Sequence, residues 1–259
     1  MTEVNEAPTI SVLPEGYISS ILSVTSPRDA CRAASVSKEF NLAADSDAVW
    51  ERFLPLDYRQ LIAMALSPVV FDSKKQLYRR LSESYILLDR GHLGLKLVKE
   101  SGRKCFMLGA RDLLITWVDD KRYWEWGRVP ESRFAEVAKL KKVWWLDIYG
   151  KIASVKLSPK TTYGAYLVFI ITDDSRGLTG SGTAIVSFSG ARNETYDVFL
   201  QHAQTHVREP RKDGWMEIEL GEFYYDDGDE GDVEMVFQDH ADSYSKRGLI
   251  VEGIEIRPK

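Results

Sequence analysis

The chain has 259 residues, of which 44% are hydrophobic and 28% are charged, and its formal net charge at pH 7 is −5. This length and composition are typical of a globular protein with one large domain or two smaller ones. The acidic balance argues against non-specific binding of nucleic acid, which requires a basic surface, so we expect no nucleic-acid partner.

The N-terminal stretch MTEVNEAPTISVLPEG has neither the basic region nor the apolar region of a secretory signal. No run of about 18 apolar residues is present, which predicts no membrane span and no membrane partner. Cys31 and Cys105 lie far apart in segments of different character, which favours a reducing compartment over a disulfide framework. We therefore expect a protein of the nucleus and cytoplasm.

The N-terminal part of the chain shows helical spacing. The stretch LPEGYISSILSV repeats its apolar residues at helical intervals. The stretch SPRDACRAASVSKEF begins with Ser26 as a candidate N-cap, Pro27 at the first helical position and Asp29 at the capping-box position. Cys31 lies among alanines there, which predicts a small core residue.

A third short helix is predicted in DSDAVWERFLP, with Asp45 or Ser46 as its cap and Pro55 as its end, because proline cannot continue a helix. Trp50 lies on its apolar face, where it has two possible roles: a core residue, or a contact to a partner. Three short helices enclose a very small core, so this part of the chain would gain stability by packing against a partner.

Residues 58–100 predict more helix. Within KKQLYRRLSE, one helical face holds Leu77, Tyr78 and Leu81. The region lacks the Gly, Ser and Pro bias of a flexible linker. We therefore predict a helical connector that packs on the segment that follows.

From about residue 104 the hydrophobic period becomes two. The stretches GWMEIELGEF and GDVEMVF alternate apolar and polar residues, and YLVFIITD and TAIVSFSG are rich in β-forming residues. In GLIVEGIEIRP, Gly253 indicates a bulge. Several short strands with turns between them predict an antiparallel β-sandwich of the jelly-roll type.

The usual catalytic and nucleotide-binding motifs are absent from the sequence, so we predict no catalytic residue, no cofactor and no metal. His202 and His206 lie four residues apart, but no third metal ligand accompanies them. The acidic run YYDDGDEGDVE does not fit an EF-hand, and a solvated loop is its favoured interpretation.

Residues 12–57 resemble an F-box. The residues that carry the resemblance are Leu13, Pro14, Ile21, Leu22, Ser26, Pro27, Arg28, Asp29, Val36, Ser37, Phe40, Val49 and Trp50. The resemblance implies three helices that dock on a Skp-type adaptor and, through it, on a cullin ubiquitin ligase. The adaptor-binding residues that it implies are Leu13, Pro14, Ile21, Leu22, Pro27, Val36 and Trp50.

Residues 104–259 are similar to the phloem protein 2 family, the Nictaba-type plant lectins. Four blocks carry this resemblance in order: ARDLLITWVDDKRYWEW, VWWLDIYGKI, DGWMEIELGEFY and GLIVEGIEIRPK. The family fold is a β-sandwich. The resemblance implies that Trp117 and Trp124 contact a sugar, and that a carboxylate just before VEM assists them; here that residue is Asp232, one methylene shorter than the family's Glu.

The resulting fold class is α+β and multidomain: a disordered tail at 1–11, an F-box at 12–57, a helical connector at 58–100 and a β-sandwich lectin-like domain at 101–259. The predicted function is that of a non-catalytic substrate receptor of a ubiquitin ligase, whose targets are proteins that carry N-acetylglucosamine-type glycans. One alternative is a sandwich that has lost sugar binding and recognises protein alone. Another is a glycosidase that pairs Asp119 or Asp120 with Asp232, since glycosidases need two carboxylates about 5–10 Å apart.

Overall fold

The computed structural model describes residues 15–188, 191–201, 211–228, 230–240 and 244–259. The described chain divides into two compact units. The first takes the residues up to Ser84 together with 96–103, and the second takes 85–95 together with 104–259. The predicted N-terminal tail lies outside the described residues. None of the helices in the described part of the chain is long and apolar enough to cross a membrane.

The first unit is helical. Its helices are α1 (Glu15–Leu22), α2 (Pro27–Ala33), α3 (Lys38–Asp45), α4 (Asp47–Phe53), α5 (Tyr58–Ala63) and α6 (Lys74–Glu83). The stretch predicted as one helix after Ser26 forms two, α2 and α3. The reason lies in Ser37, whose side chain accepts a hydrogen bond from the Phe40 backbone N–H and so begins a new helix.

The helix ends agree with the predicted signals. Ser26 accepts a hydrogen bond from the Asp29 N–H at 3.1 Å, and its hydroxyl donates to the Asp29 carboxylate at 2.7 Å. Helix α4 begins after Ser46 and ends two residues before Pro55. Cys31, predicted as a core residue, is exposed, because the buried face of α2 is formed by Pro27 and Ala30.

The core of the first unit joins α4 to α6. The Trp50 ring lies 5.6 Å from Phe53 and 5.2 Å from Tyr78, measured between ring centroids. Leu77 and Leu81 are buried beside Tyr78, as the helical spacing predicted. The predicted connector helix is therefore a structural part of the first unit.

The prediction of helix throughout residues 58–100 is wrong near its end. Strands β1 (Ile86–Leu88) and β2 (Leu93–Leu97) form an antiparallel hairpin there. The turn between them holds Asp89 at φ 53° and Gly91 at φ 82°. Two left-handed residues so close together break a helix and favour a tight turn.

Within the described residues, the second unit takes β1, residues 93–95 of β2 and eleven further strands. These are β3 (Lys104–Gly109), β4 (Leu114–Ile115), β5 (Trp124–Gly127), β6 (Val137–Leu140), β7 (Leu146–Ala153), β8 (Thr161–Arg176), β9 (Ser181–Phe188), β10 (Ala191–Phe199), β11 (Met216–Tyr225), β12 (Asp232–Asp239) and β13 (Arg247–Pro258).

The strands form two antiparallel sheets. In the described chain, the eight-stranded sheet has the order β1-β2-β3-β13-β6-β5, with β8 paired to β13 and β11 paired to β8. The five-stranded sheet has the order β10-β9-β12-β7-β4. Helices followed by an antiparallel β domain are the predicted fold class, which is confirmed.

The two sheets pack face to face. A Cβ added at Gly150 of β7 would lie 2.9 Å from Ile254 of β13 and 3.3 Å from Leu108 of β3, so the sheets nearly touch there. On β12, Val233, Met235 and Phe237 are buried and their neighbours along the strand are less so. The predicted alternation is thus confirmed, and the odd-numbered residues of β12 face the core.

The predicted bulge lies at the middle of β13. The pairing of β13 with β8 shifts register between Val251 and Gly253, which leaves Glu252 as the extra residue. A side chain at Gly253 would clash with the Leu108 carbonyl oxygen, so glycine is required. Glu252 turns inward and accepts hydrogen bonds from the Arg133 backbone N–H at 2.7 Å and from its guanidinium at 2.6 Å.

Burial raises the pKa of the Glu252 carboxyl, and the Arg133 guanidinium opposes that rise. The Arg133–Glu252 pair holds the loop that carries Arg133 against β13. The bulge therefore places a charged anchor inside the second unit.

Candidate ligand-binding and partner-binding sites

Three aromatic side chains meet at the surface of the second unit. The ring of Trp117 lies 5.0 Å from that of Tyr123 and 4.7 Å from that of Trp145. Trp117 is 40% exposed and Trp145 is 38% exposed. We call Trp117, Tyr123 and Trp145 the aromatic platform. Exposed, mutually supported rings of this kind are suited to an apolar ligand face.

The backbone at Trp117 adopts an uncommon conformation that turns its side chain to the surface. Strand β4 ends at Ile115, and the Thr116 N–H donates to the Asp147 carbonyl at 3.1 Å. Trp117 then takes φ 59°, in the left-handed region. Such a conformation costs about 1–3 kcal/mol for a bulky residue and persists only where the surroundings enforce it. The observed outlier marks this turn as a candidate functional site.

Trp124 does not share that exposure. It is 1% exposed, and its indole N–H donates to the Thr116 carbonyl at 3.1 Å. The structure therefore gives Trp124 no face for a sugar, contrary to what the resemblance implied. Its ring supports the turn from inside, holding the residue that immediately precedes Trp117.

The segment that carries Trp145 is held by a buried ion pair. Val143 exchanges backbone hydrogen bonds with Lys246, and the Lys246 ammonium donates to the Trp144 carbonyl at 2.9 Å. The same ammonium lies 3.2 Å from the Asp239 carboxylate, and the two side chains are only 1% and 2% exposed. The backbone on both sides of Trp144 is thus fixed, and both Trp144 and Trp145 face outward.

Asp232 lies far from the platform. It pairs with Ala153 at one end of β7, and its carboxylate forms an ion pair with Lys151 at 2.9 Å. The turn of Trp117 is bonded to Asp147, near the other end of β7. Six residues of strand separate the two points, about 20 Å at the usual rise per residue. The structure therefore does not bring Asp232 together with Trp117.

Asp147 is a carboxylate at the junction of the two segments that carry the platform, and the sequence prediction missed it. The His240 Nε2–H donates to Asp147 Oδ1 at 2.6 Å, and the Thr116 hydroxyl donates to Oδ2 at 3.4 Å. The available signal was the spacing in VWWLDIYGKI, where Asp147 follows Trp145 by two residues at the start of a predicted strand.

The carboxylate pair required by a glycosidase is not assembled. Asp119 and Asp120 belong to the turn after Trp117, at the opposite end of β7 from Asp232. The Arg122 side chain donates to the Asp120 carboxylate at 2.6 Å and lowers the pKa of that carboxyl to about 2. A permanently charged, arginine-bound carboxylate is unsuited to act as a general acid.

No metal-binding group of three or more His, Cys, Asp or Glu side chains occurs among the described residues. His202 and His206 lie outside them. Cys105 is buried on β3, and burial raises the pKa of its thiol. Such a thiol is inert, since the reactive species is the thiolate.

The residues predicted to bind an adaptor separate into two groups. Ile21 and Val36 are exposed, as an interface residue should be. Leu22, Pro27 and Trp50 are buried and belong to the core of the first unit. For those three, the structure supplies a packing role in place of a direct contact. Leu13 and Pro14 lie outside the described residues.

One face of α1 presents apolar side chains to solvent. Tyr17 and Ile21 of α1, and Val24 in the turn directly after it, are all exposed and follow each other at helical spacing. The opposite side of α1 buries Ile18 and Leu22. We call Tyr17, Ile21 and Val24 the α1 apolar face. Contiguous exposed apolar residues on a helix are typical of a protein interface.

Comparison with known proteins gives matches over both units. Residues 103–258 match the family described as Phloem protein 2, and residues 10–55 match the family described as F-box-like. PP2-B12 of Arabidopsis thaliana is 46% identical over 249 residues, which cover 95% of this chain and 97% of that protein. F-box protein PP2-B10 of the same plant is 42% identical over 263 residues, which cover 98% and 96%. F-box protein PP2-B15, also from that plant, is 40% identical and covers 96% of each chain.

Solved structures show weaker similarity. A family 35 carbohydrate binding module from Clostridium thermocellum has a TM-score of 0.34 at 12% identity, over 59% of this chain and 96% of that one. The insecticidal crystal protein Cry2Aa has a TM-score of 0.38 at 10% identity, over 65% and 25%. TM-scores this low support no conclusion about the function of this protein.

The two family matches lie one after the other along the chain, as the two resemblances predicted. The relatives at 40–46% identity extend over nearly the whole of it. The helical first unit and the antiparallel second unit fit the two matches. The chain therefore belongs to the phloem protein 2 family, in the group whose members also carry an F-box.

Proposed function

We propose that this protein is a non-catalytic substrate receptor of a cullin ubiquitin ligase. The first unit binds a Skp-type adaptor, and the second unit binds the target protein. The observation that supports the first half is the α1 apolar face on an F-box. Such a receptor acts by proximity, because tethering a target raises the effective concentration of its lysines near the ligase. We further propose residence in the nucleus and cytoplasm, which imaging of a fluorescent fusion would test.

Replacing Ile21 or Val36 by aspartate should weaken adaptor binding by about five- to thirtyfold. A buried interface contact contributes about 1–2 kcal/mol, and each 1.4 kcal/mol changes affinity by roughly tenfold. Both side chains are exposed in the free protein, so folding should be little affected. The measurement is a quantitative pull-down with a purified Skp-type protein.

Val155→Asp is the matched control, because Val155 is an equally exposed valine in the second unit. It should leave adaptor binding unchanged. Retention of full binding by both Ile21→Asp and Val36→Asp would disprove the assignment of these two residues to the adaptor interface.

We propose that the second unit recognises a sugar on its target, and that the aromatic platform is where it does so. A pyranose has an apolar face of C–H groups, which an aromatic ring buries well. The exposed rings of Trp117 and Trp145 supply that surface, and their mutual packing fixes it in advance. N-acetylglucosamine-type glycans on proteins are the class of ligand we propose.

Trp117→Ala should reduce glycan binding by tenfold or more, since the ring contributes on the order of 1.5–3 kcal/mol of apolar burial. Trp144→Ala is the control, because Trp144 is equally exposed and adjacent in sequence to Trp145, yet its ring is not part of the platform. Binding of both variants is compared with wild type on a glycan array.

Equal glycan binding by Trp117→Ala and wild type would show that the platform is not the glycan-binding site. If wild type binds no glycan, the result favours the alternative hypothesis, in which the sandwich recognises protein alone. Competition between free oligosaccharide and the target protein separates the two hypotheses.

A further inference from the structure

We propose that Asp147 and His240 form the polar arm of the aromatic platform, and that this arm restricts the ligand to uncharged sugars whose hydroxyl or amide groups can donate hydrogen bonds. This inference rests on the sugar-binding function proposed above. It replaces Asp232 as the carboxylate of the site.

The fold places Asp147 next to both tryptophans of the platform. Along the chain, Trp145 is two residues before Asp147, in the bend that leads into β7. Across the sheet, Asp147 is joined to Thr116 twice: its carbonyl accepts the Thr116 N–H at 3.1 Å, and its carboxylate accepts the Thr116 hydroxyl. Trp117 is the next residue. The carboxylate thus lies at the junction of the two segments that build the platform.

The Asp147 carboxylate retains capacity for a ligand. A carboxylate has about four acceptor positions. Among the described residues its side chain has two hydrogen-bond partners, Thr116 and His240. The side chain is partly exposed, with 27% of its surface accessible. Two hydroxyl groups of a sugar could therefore be accepted without breaking either internal bond.

His240 orients this acceptor. Its Nε2–H is bonded to Oδ1 at 2.6 Å, and its ring is more exposed than the carboxylate. The bond fixes one oxygen, and the Thr116 hydroxyl makes a longer contact of 3.4 Å to the other. Hydrogen bonds from ligand hydroxyls to a fixed carboxylate are about twice as strong as those between neutral groups. Preorganisation of this kind improves affinity because little ordering remains to be done on binding.

The charge of the arm supplies the selectivity. A sugar that carries a carboxylate, such as a sialic acid or a uronic acid, would meet Asp147 with a like charge at short range. Two cations of this region have other carboxylate partners: Lys246 is buried with Asp239, and Arg122, whose guanidinium lies 5.3 Å from the Tyr123 ring centroid, is bonded to Asp120. Neutral glycans are therefore preferred to their acidic counterparts.

The test uses the full-length protein on an array of neutral glycans that contain N-acetylglucosamine, each printed beside its sialylated counterpart. Wild type should bind the neutral member of each pair. Asp147→Asn and His240→Ala should each weaken that binding, Asp147→Asn by about tenfold or more, since a hydrogen bond to a charged group is lost. Asp147→Asn should also narrow the difference between neutral and sialylated glycans.

Glu234→Gln is the matched control, because Glu234 is a half-exposed carboxylate on the same sheet, paired opposite Lys151 on β7. His240→Ala keeps the test sound if Asp147→Asn fails to fold, since His240 is largely exposed. Loss of binding with Trp117→Ala but not with Asp147→Asn or His240→Ala would overturn this inference and leave the proposed function standing. Loss with Asp232→Asn in place of Asp147→Asn would overturn it too. A wild-type protein that binds no glycan would overturn both.

Discussion

Trp50→Ala is expected to unfold the first unit, with a loss of about 3–5 kcal/mol from its free energy of unfolding. Trp50 is 2% exposed, and its ring packs against Phe53 of the same helix and against Tyr78 of α6. Its indole N–H donates to the Ala44 carbonyl at 2.6 Å. Removal of the ring would leave a cavity between α4 and α6 and an unsatisfied carbonyl. A small helical unit has little stability to spare for such a loss.

The measurement is chemical denaturation followed by hydrogen exchange in α4 and α6, so that the first unit is observed separately from the second. Val24→Ala is the control, because Val24 is exposed in the same unit, and it should change stability by less than about 0.5 kcal/mol. Trp50→Phe should keep most of the packing and lose only the hydrogen bond to Ala44.

The same variants decide between the two roles considered for Trp50. If Trp50 acts through the core, Trp50→Phe remains folded and binds the Skp-type adaptor normally. A folded Trp50→Phe variant that fails to bind the adaptor would instead make the indole a direct contact.

Lys246→Ala is expected to destabilise the second unit by about 3–5 kcal/mol, the usual result of removing one partner from a buried ion pair. The variant removes the ammonium that lies 3.2 Å from the buried Asp239 carboxylate. The same ammonium holds the Trp144 carbonyl. We therefore expect glycan binding to fall as well, because the backbone that carries Trp145 would no longer be fixed.

The free energy of unfolding is measured from denaturant curves, with the second unit identified by hydrogen exchange in β12 and β13. The double variant Lys246→Met/Asp239→Leu is the informative control, since it removes both charges and keeps apolar volume. It should recover much of the stability lost in Lys246→Ala. A Lys246→Ala protein that unfolds at the wild-type denaturant concentration would show that the pair has no net effect.

The local signals in the sequence predicted the elements well. Ser26, Pro27 and Pro55 marked helix ends that the structure confirms, and the alternation in GDVEMVF predicted which side of β12 faces the core. Gly253 marked a bulge because its neighbour in space leaves no room for a Cβ. Each of these features depends on residues close together in the chain, which is why a pattern could reveal it.

The features that the sequence did not predict depend on contacts between distant segments. The hairpin of β1 and β2 has a leucine-rich sequence that resembles a helix until its turn residues are seen at positive φ. The burial of Trp124 follows from the way β5 pairs with β6, and a tryptophan on a short strand has no periodicity that would reveal it.

The candidate site shows most clearly that contacts between distant segments cannot be predicted from the sequence of one strand. Asp232 and Asp147 are both acidic residues on neighbouring strands, β12 and β7. Only the register of that antiparallel pair shows that Asp232 lies at the end away from Trp117 and that Asp147 lies at the near end. Register is set by side-chain packing across the whole sheet, so a single strand sequence does not contain it.

At the left-handed turn of Trp117, the stability of the fold and the binding of a ligand favour different residues. Glycine or asparagine would occupy φ 59° with less strain, so the fold by itself favours a small residue there. The interaction that the Trp117 ring adds over a smaller residue is its contact at the surface with the rings of Tyr123 and Trp145. Under selection for folding alone, Trp117 would be among the first residues of the second unit to be replaced. The presence of Trp117 therefore indicates that the platform binds a ligand. Without a ligand, a smaller residue at this position would give a more stable fold, and the tryptophan would be replaced.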